Sequence, residues 1–114
     1  LDLGTNNADS VDYPDFGHAI GEAIANSQAR YGVAICGSGI GISIAANRHA
    51  NVRAALCHDG LTAKLSRQHN NANVLALGAR IIGIETARDA VSAFFTTDFE
   101  GGRHERRVDK IELT

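Results

Sequence analysis

Apolar positions along the chain switch between two periods, and the switches delimit its elements. Residues 5–12 are polar and turn-rich, a loop. Phe16, Ala19, Ile20, Ala23 and Ile24 then recur at i, i+3, i+4, i+7 and i+8, which predicts an amphipathic helix ending near Ser27. Asp12 is placed to cap that helix, and Pro14 falls in its first turn, where a missing N–H is tolerated. Residues 31–36 are apolar without alternation, the pattern of a parallel strand covered on both faces. After Gly37, Gly39 and Gly41, residues 42–49 read as a short helix and residues 52–57 as a second strand. His58-Asp59-Gly60 opens a helix with Leu61 and Leu65 on its inner face, and residues 69–73 form a polar connection. Val74 to Leu77 is a short strand with Gly78-Ala79-Arg80 as its exit. A long helix follows from about Glu85, with Ala87, Ala90, Val91, Phe94 and Phe95 in phase. Residues 98–102 break it, and Arg103 to about Ile111 forms a final basic helix.

Strands alternating with helices at this spacing imply an α/β fold, a doubly wound parallel sheet of the Rossmann or flavodoxin type with helices on both faces. Ligands in such folds sit beyond the carboxyl ends of the strands. Cys36 with its glycine loop, His58 and Arg80 are therefore expected on one rim.

Composition narrows the class. The 114 residues make one domain, with no internal repeat, linker or low-complexity segment. A formal net charge of -2 gives no reason to invoke nucleic acid or a membrane surface, and no apolar run approaches membrane-spanning length. The two cysteines, Cys36 and Cys57, both end strand-like runs, so neighbouring strands could hold them close, yet they are no disulfide framework. A reducing cytoplasm is expected. Methionine is absent, and Leu1-Asp2-Leu3-Gly4 reads as the tail of a strand, so the chain is expected to be longer at its N-terminus.

The chemistry concentrates at Cys36. Glycines at every second position let backbone N–H groups converge on an anion or a developing oxyanion, and such a loop opening a helix is an anion site. It is neither a dinucleotide fingerprint, which needs G-x-G-x-x-G, nor a Walker loop, which needs a following Gly-Lys-Ser/Thr. Clustered donors favour a thiolate, making Cys36 a candidate base or nucleophile; the alternative is a small buried hydrophobe ending a core strand. Arg103 and Arg107, at i and i+4 with Arg106 between them, could grip one phosphate, or could form a solvated turn partnered by Glu105 and Asp109. His69 beside Asn70 suits proton transfer near neutrality, or is an ordinary surface histidine. No metal site is expected, because His58 and His104 lack ligands at zinc spacing.

Together these segments resemble a family. Cys36 through Asn47, then Ser66-Arg67-Gln68-His69-Asn70, then Asn73-Val74-Leu75-Ala76 with Gly78 and Arg80, then Glu100-Gly101-Gly102-Arg103-His104 with Arg107, are similar in order and spacing to the type B ribose-5-phosphate isomerases and their sugar-phosphate isomerase relatives, which include galactose-6-phosphate isomerase subunits. Asp12-Tyr13-Pro14 resembles the segment before that family's first long helix. The likeness covers nearly the whole chain, making residues 1–114 a single sugar-phosphate isomerase domain that starts after the family's first strand. That strand ends in an Asp-His pair and would lie between the strand ending at Leu3 and the strand ending at Cys36.

The resemblance implies an aldose-ketose isomerase interconverting ribose 5-phosphate and ribulose 5-phosphate through an enediolate, in the pentose phosphate pathway. Related substrates, allose 6-phosphate or galactose 6-phosphate, are alternatives, as is a non-catalytic phosphate-binding domain. By resemblance Cys36 is the base, the loop Gly37, Ser38, Gly39, Ile40 and Gly41 stabilises the enediolate, and His69 opens the ring. Asn70, Arg80, Arg103 and Arg107 contact substrate, and Tyr13 borders the sugar. In another branch a glutamate at the position of Ile42 is the base, so this chain falls in the cysteine branch; Ser38 stands where relatives often have threonine. No metal or other cofactor is implied. The implied assembly is a homodimer, or a dimer of dimers, whose active sites are shared between subunits.

Overall fold

A computed structural model describes residues 1–113. Its elements are α1 (Tyr13–Ala25), β1 (Gly32–Cys36), α2 (Ile40–Ala46), β2 (Ala54–Leu56), α3 (Gly60–Asn70), β3 (Val74–Gly78), α4 (Ile84–Thr96) and α5 (Arg103–Asp109). The three strands are parallel in the order β1-β3-β2, so β3 is central and every one of its residues is buried. The alternation of β3 divides the core. Val74 and Ala76 face Ala34, Ile24, Ile42 and Ala46 under α1 and α2, while Leu75 and Leu77 face Ala63, Ala90 and Phe94 under α3 and α4. Helices thus cover both faces, as the alternating pattern requires.

Several expectations from the sequence change. The run before the glycine loop is not covered all round: β1 lies at the sheet edge, paired only to β3, and Ile35 is 57% exposed. Along its open side runs a groove of about 1230 Å³, lined by Leu3, Val11, Phe16, Ile20, Ile35 and Phe95 among others. Residues 1–3 join no strand. The inner face of α3 is Ala63, Ser66 and Arg67, whereas Leu61 and Leu65 point outward, because α3 packs so closely on α4 that small and hydrogen-bonded side chains fill the seam. That helix also runs through His69 and Asn70, which the sequence suggests as a loop. An Asp59–Thr62 capping box starts it, and Asn71 in the left-handed region ends it.

Cys36 and Cys57 are not on neighbouring strands. With β3 between them, two strand spacings of about 4.8 Å hold them about 10 Å apart. Both are free, and burial pushes the Cys57 thiol up.

Candidate active site

The rim beyond β1 and β3 is stitched together through the backbone. Ala79 N–H donates to Cys36 O and Arg80 N–H to Gly37 O, both at 2.9 Å, so the exit of β3 clamps the loop that leaves β1. Within the loop, Gly39 N–H donates to Cys36 Sγ at 3.2 Å and Ile40 N–H to Ser38 Oγ at 3.2 Å. Gly39 has φ 78°, and a Cβ there would lie 2.5 Å from Leu56 Cδ1 and 2.8 Å from Leu77 C, so only glycine fits. The turn is what brings a backbone donor back onto the sulfur three residues earlier.

Two further side chains frame the loop. The Arg80 guanidinium lies over Gly37, with Nε 3.5 Å from where a Cβ would stand. The Tyr13 ring packs against Gly41 so closely that no side chain could replace its hydrogen. Tyr13, Cys36, Gly37, Ser38, Ile40, Gly41 and Arg80 all line the groove beside β1. His58, by contrast, is exposed at the end of β2 with β3 between it and Cys36, so the expected third member of the rim stands apart.

The remaining expected site residues gather at the opposite end of the sheet. Helix α3 starts beyond the carboxyl end of β2 and runs back, so its last turn lies beside the beginning of β1, where Arg67 Nη2 donates to Tyr31 Oη at 3.4 Å. Cys36 is five residues further along, about 16 Å at about 3.3 Å per residue. His69 and Asn70, at the end of α3, are therefore remote from the sulfur of their own chain. Arg103 and Arg107 join them at that end: Glu100 N–H donates to Gln68 O at 3.1 Å, Gly101 and Gly102 turn the chain with φ 67° and 56°, and α5 folds back against α3. Buried Val108 anchors it.

That end carries unpaired arginines beside a carboxylate shared by two histidines. Among the described residues the ion pairs are His69–Glu100, Arg88–Glu85 and His104–Glu100, so Arg103, Arg106 and Arg107 are exposed without a carboxylate partner. The solvated turn partnered by Glu105 and Asp109 is not what the basic helix forms.

Two features escape sequence reasoning. Arg67 is 5% exposed, donating to Ala72 O at 2.6 Å, Asn71 Oδ1 at 2.9 Å and Thr97 O at 3.2 Å, with its guanidinium 5.1 Å from the Tyr31 ring centroid. It ties the last turn of α3 to α4 and β1, which holds His69 in place. Second, the rings of His69 and His104 stack at 4.4 Å between centroids, and both Nε2 atoms approach Glu100 Oε1, at 3.8 and 3.6 Å. Burial holds the His104 imidazole below its ordinary pKa, and positive charge on His69 and Arg103 pushes the same way against Glu100. The i, i+4 spacing of Glu100 and His104 was a weak signal; His69 joins them only through tertiary packing.

Known proteins resemble this chain in sequence and in fold. Residues 1–111 match the family model described as Ribose/Galactose Isomerase. Ribose-5-phosphate isomerase B of Escherichia coli strain K12 is 45% identical over 111 residues, covering 97% of this chain and 74% of that protein. Among solved structures, ribose-5-phosphate isomerase B from Clostridium thermocellum superposes with a TM-score of 0.95 at 49% identity, over 97% of this chain and 75% of that one. The Mycoplasma genitalium ribose-5-phosphate isomerase B, solved with bound ribulose-5-phosphate, gives 0.93 at 45% identity, over 97% and 74%.

Proposed function

This chain belongs to the ribose/galactose isomerase family, and from that premise we propose that it interconverts ribose 5-phosphate and ribulose 5-phosphate by proton transfer through an enediolate. The observation that carries the chemistry is the Gly39 N–H donating to Cys36 Sγ at 3.2 Å in a loop lined by further backbone donors. A thiolate held this way takes the proton from C2 of the open-chain aldose. The electron pair of that C–H bond forms the C1–C2 double bond, and negative charge moves onto the aldehyde oxygen. Donors of Gly37 to Gly41, with Gly41 among the N–H groups that the short α2 cannot satisfy internally, stabilise that oxygen. Return of the proton to C1 yields the ketose: O2 loses its proton as the new carbonyl forms, and O1 takes up a proton in its place to become the C1 hydroxyl. Before this, His69 exchanges protons with the ring oxygen and anomeric hydroxyl to open the furanose. Arg103 and Arg107 grip the phosphate, so that binding energy remote from the reacting carbons fixes their geometry. Tyr13, Asn70 and Arg80 border the sugar.

Because Cys36 and His69 stand at opposite ends of one sheet, the working site joins two chains: the glycine loop and Arg80 of one subunit face His69, Asn70 and the α5 arginines of another. A homodimer, or a dimer of dimers, is the unit this requires. The pentose phosphate pathway in the cytoplasm is the setting such a reaction fits. Allose 6-phosphate and galactose 6-phosphate are the competing substrates, and turnover measured on all three ranks them.

The assay for the base is Cys36→Ala. Isomerisation of an open-chain substrate should vanish while binding of a phosphate ligand stays nearly intact, since proton abstraction belongs to the transition state alone. Turnover retained within about tenfold, only ~1.4 kcal/mol of barrier, removes Cys36 from the role.

A further inference from the structure

The geometry points to a binding site for a borderline transition-metal cation, Zn²⁺ being the best match, formed by His69 Nε2, Glu100 Oε1 and His104 Nε2 with a further position open to solvent. Two imidazoles and one carboxylate are a donor set zinc takes readily, with bonds of about 2.0–2.2 Å, which places neighbouring donor atoms of a tetrahedral ion about 3.4 Å apart. The Glu100 oxygen is already 3.8 Å from one nitrogen and 3.6 Å from the other, and one ligand atom from each of the three residues falls within 4.8 Å of the rest. Closing the set needs the His69 and His104 rings, 15° from parallel, to tilt so that their Nε2 lone pairs converge. His69 and Glu100 are the freer to move, with side chains 42% and 49% exposed, while His104 is the more confined at 12%.

The backbone holds the three in register. Glu100 is fastened to the last turn of α3 by its N–H bond to Gln68 O, and His104 sits in the first turn of α5, which packs on that same helix. The stacked imidazoles of His69 and His104 direct both Nε2 atoms toward the same Glu100 oxygen. The other histidine pair, His18 and His49, bonds nitrogen to nitrogen at 2.9 Å and has no third ligand among the described residues, so it serves as the control.

Occupancy has a consequence that rests on the function proposed above. A metal on Nε2 removes the lone pair with which His69 opens the sugar ring, so zinc inhibits the enzyme rather than assisting it.

Binding of Zn²⁺ measured by calorimetry, and of Co²⁺ by its visible spectrum, tests the site without reference to activity. One ion per chain is expected, with the bands of tetrahedral cobalt and no near-ultraviolet thiolate charge transfer. Glu100→Gln and His104→Ala, each checked for an unchanged circular dichroism spectrum and melting point, should weaken zinc at least about a hundredfold, the upper end of what loss of a ligand's outer hydrogen-bond partner does. Cys36→Ser and His49→Ala should leave it unchanged. Absence of saturable binding, unchanged affinity in the folded Glu100→Gln and His104→Ala variants, or loss in Cys36→Ser overturns the site. A parallel rate titration separates the two readings: inhibition with the same midpoint as binding supports both, whereas binding without inhibition keeps the metal site and removes His69 from ring opening.

Discussion

Mixing two inactive variants tests the shared site most directly. One carries Cys36→Ala; the other carries Arg103→Ala and Arg107→Ala. The glycine loop leaves β1 at its carboxyl end, while α5 packs on the end of α3 that lies beside Tyr31, about 16 Å back along the strand. An arginine side chain extends only about 7 Å from its Cα, with roughly 1.5 Å or less added per bond. The strand length thus exceeds the reach of an arginine side chain alone, and in the proposed assembly the phosphate grip comes from the second subunit. Random exchange of equal amounts yields hybrid molecules as half of all dimers under two-fold symmetry. In each hybrid one site has lost both parts and the other keeps both, so activity should return to about a quarter of wild type. The assay is formation of ribulose 5-phosphate before and after mild subunit exchange, with hybrids quantified by mass-tagged chains. Hybrids present at the expected fraction with no recovered turnover would show that Cys36 and the arginines act within one subunit, and the argument from strand length would fail.

Other outcomes follow from the same geometry. Gly39→Ala combines a left-handed φ of 78° with a Cβ jammed between Leu56 and Leu77, so it should destabilise the fold by about 3 kcal/mol in denaturant titration; an unchanged midpoint would mean the loop relaxes freely. Turnover should persist in excess chelator because the steps are proton transfers, and loss of activity restored by added metal would refute that. Asp59 accepts from Thr62 N and its hydroxyl, bonds that hold its carboxyl below the ordinary range. A depressed folded value means this contribution is present above the usual carboxylate range and is lost as pH falls through the folded value. Asp59→Ala should therefore flatten the acid limb of the stability profile relative to wild type, and parallel profiles would show the cap to be irrelevant.

Local pattern carried much of the architecture. The 3.6-residue period of Phe16, Ile20, Ala23 and Ile24 specified α1, and alternation of apolar runs with helical ones specified a parallel sheet clad on both faces. Cys36 running into Gly37, Gly39 and Gly41 pointed to a turn that brings backbone donors near the sulfur, because conformational freedom and donor spacing are properties of consecutive residues. Strand order was beyond such reasoning. That β3 rather than β1 is central, that Leu61 and Leu65 face solvent, and that Arg67 is buried all depend on which helix seams close, and seams are pairings between segments remote in sequence. The same holds for the two ends of the site. The direction in which α3 runs, from the carboxyl end of β2 back to the start of β3, separates His69 from Cys36 and brings it to Glu100 and His104. Side-chain chemistry is written residue by residue, but the distance between two reactive groups is set by the packing of the elements that carry them, and only the folded chain contains that distance.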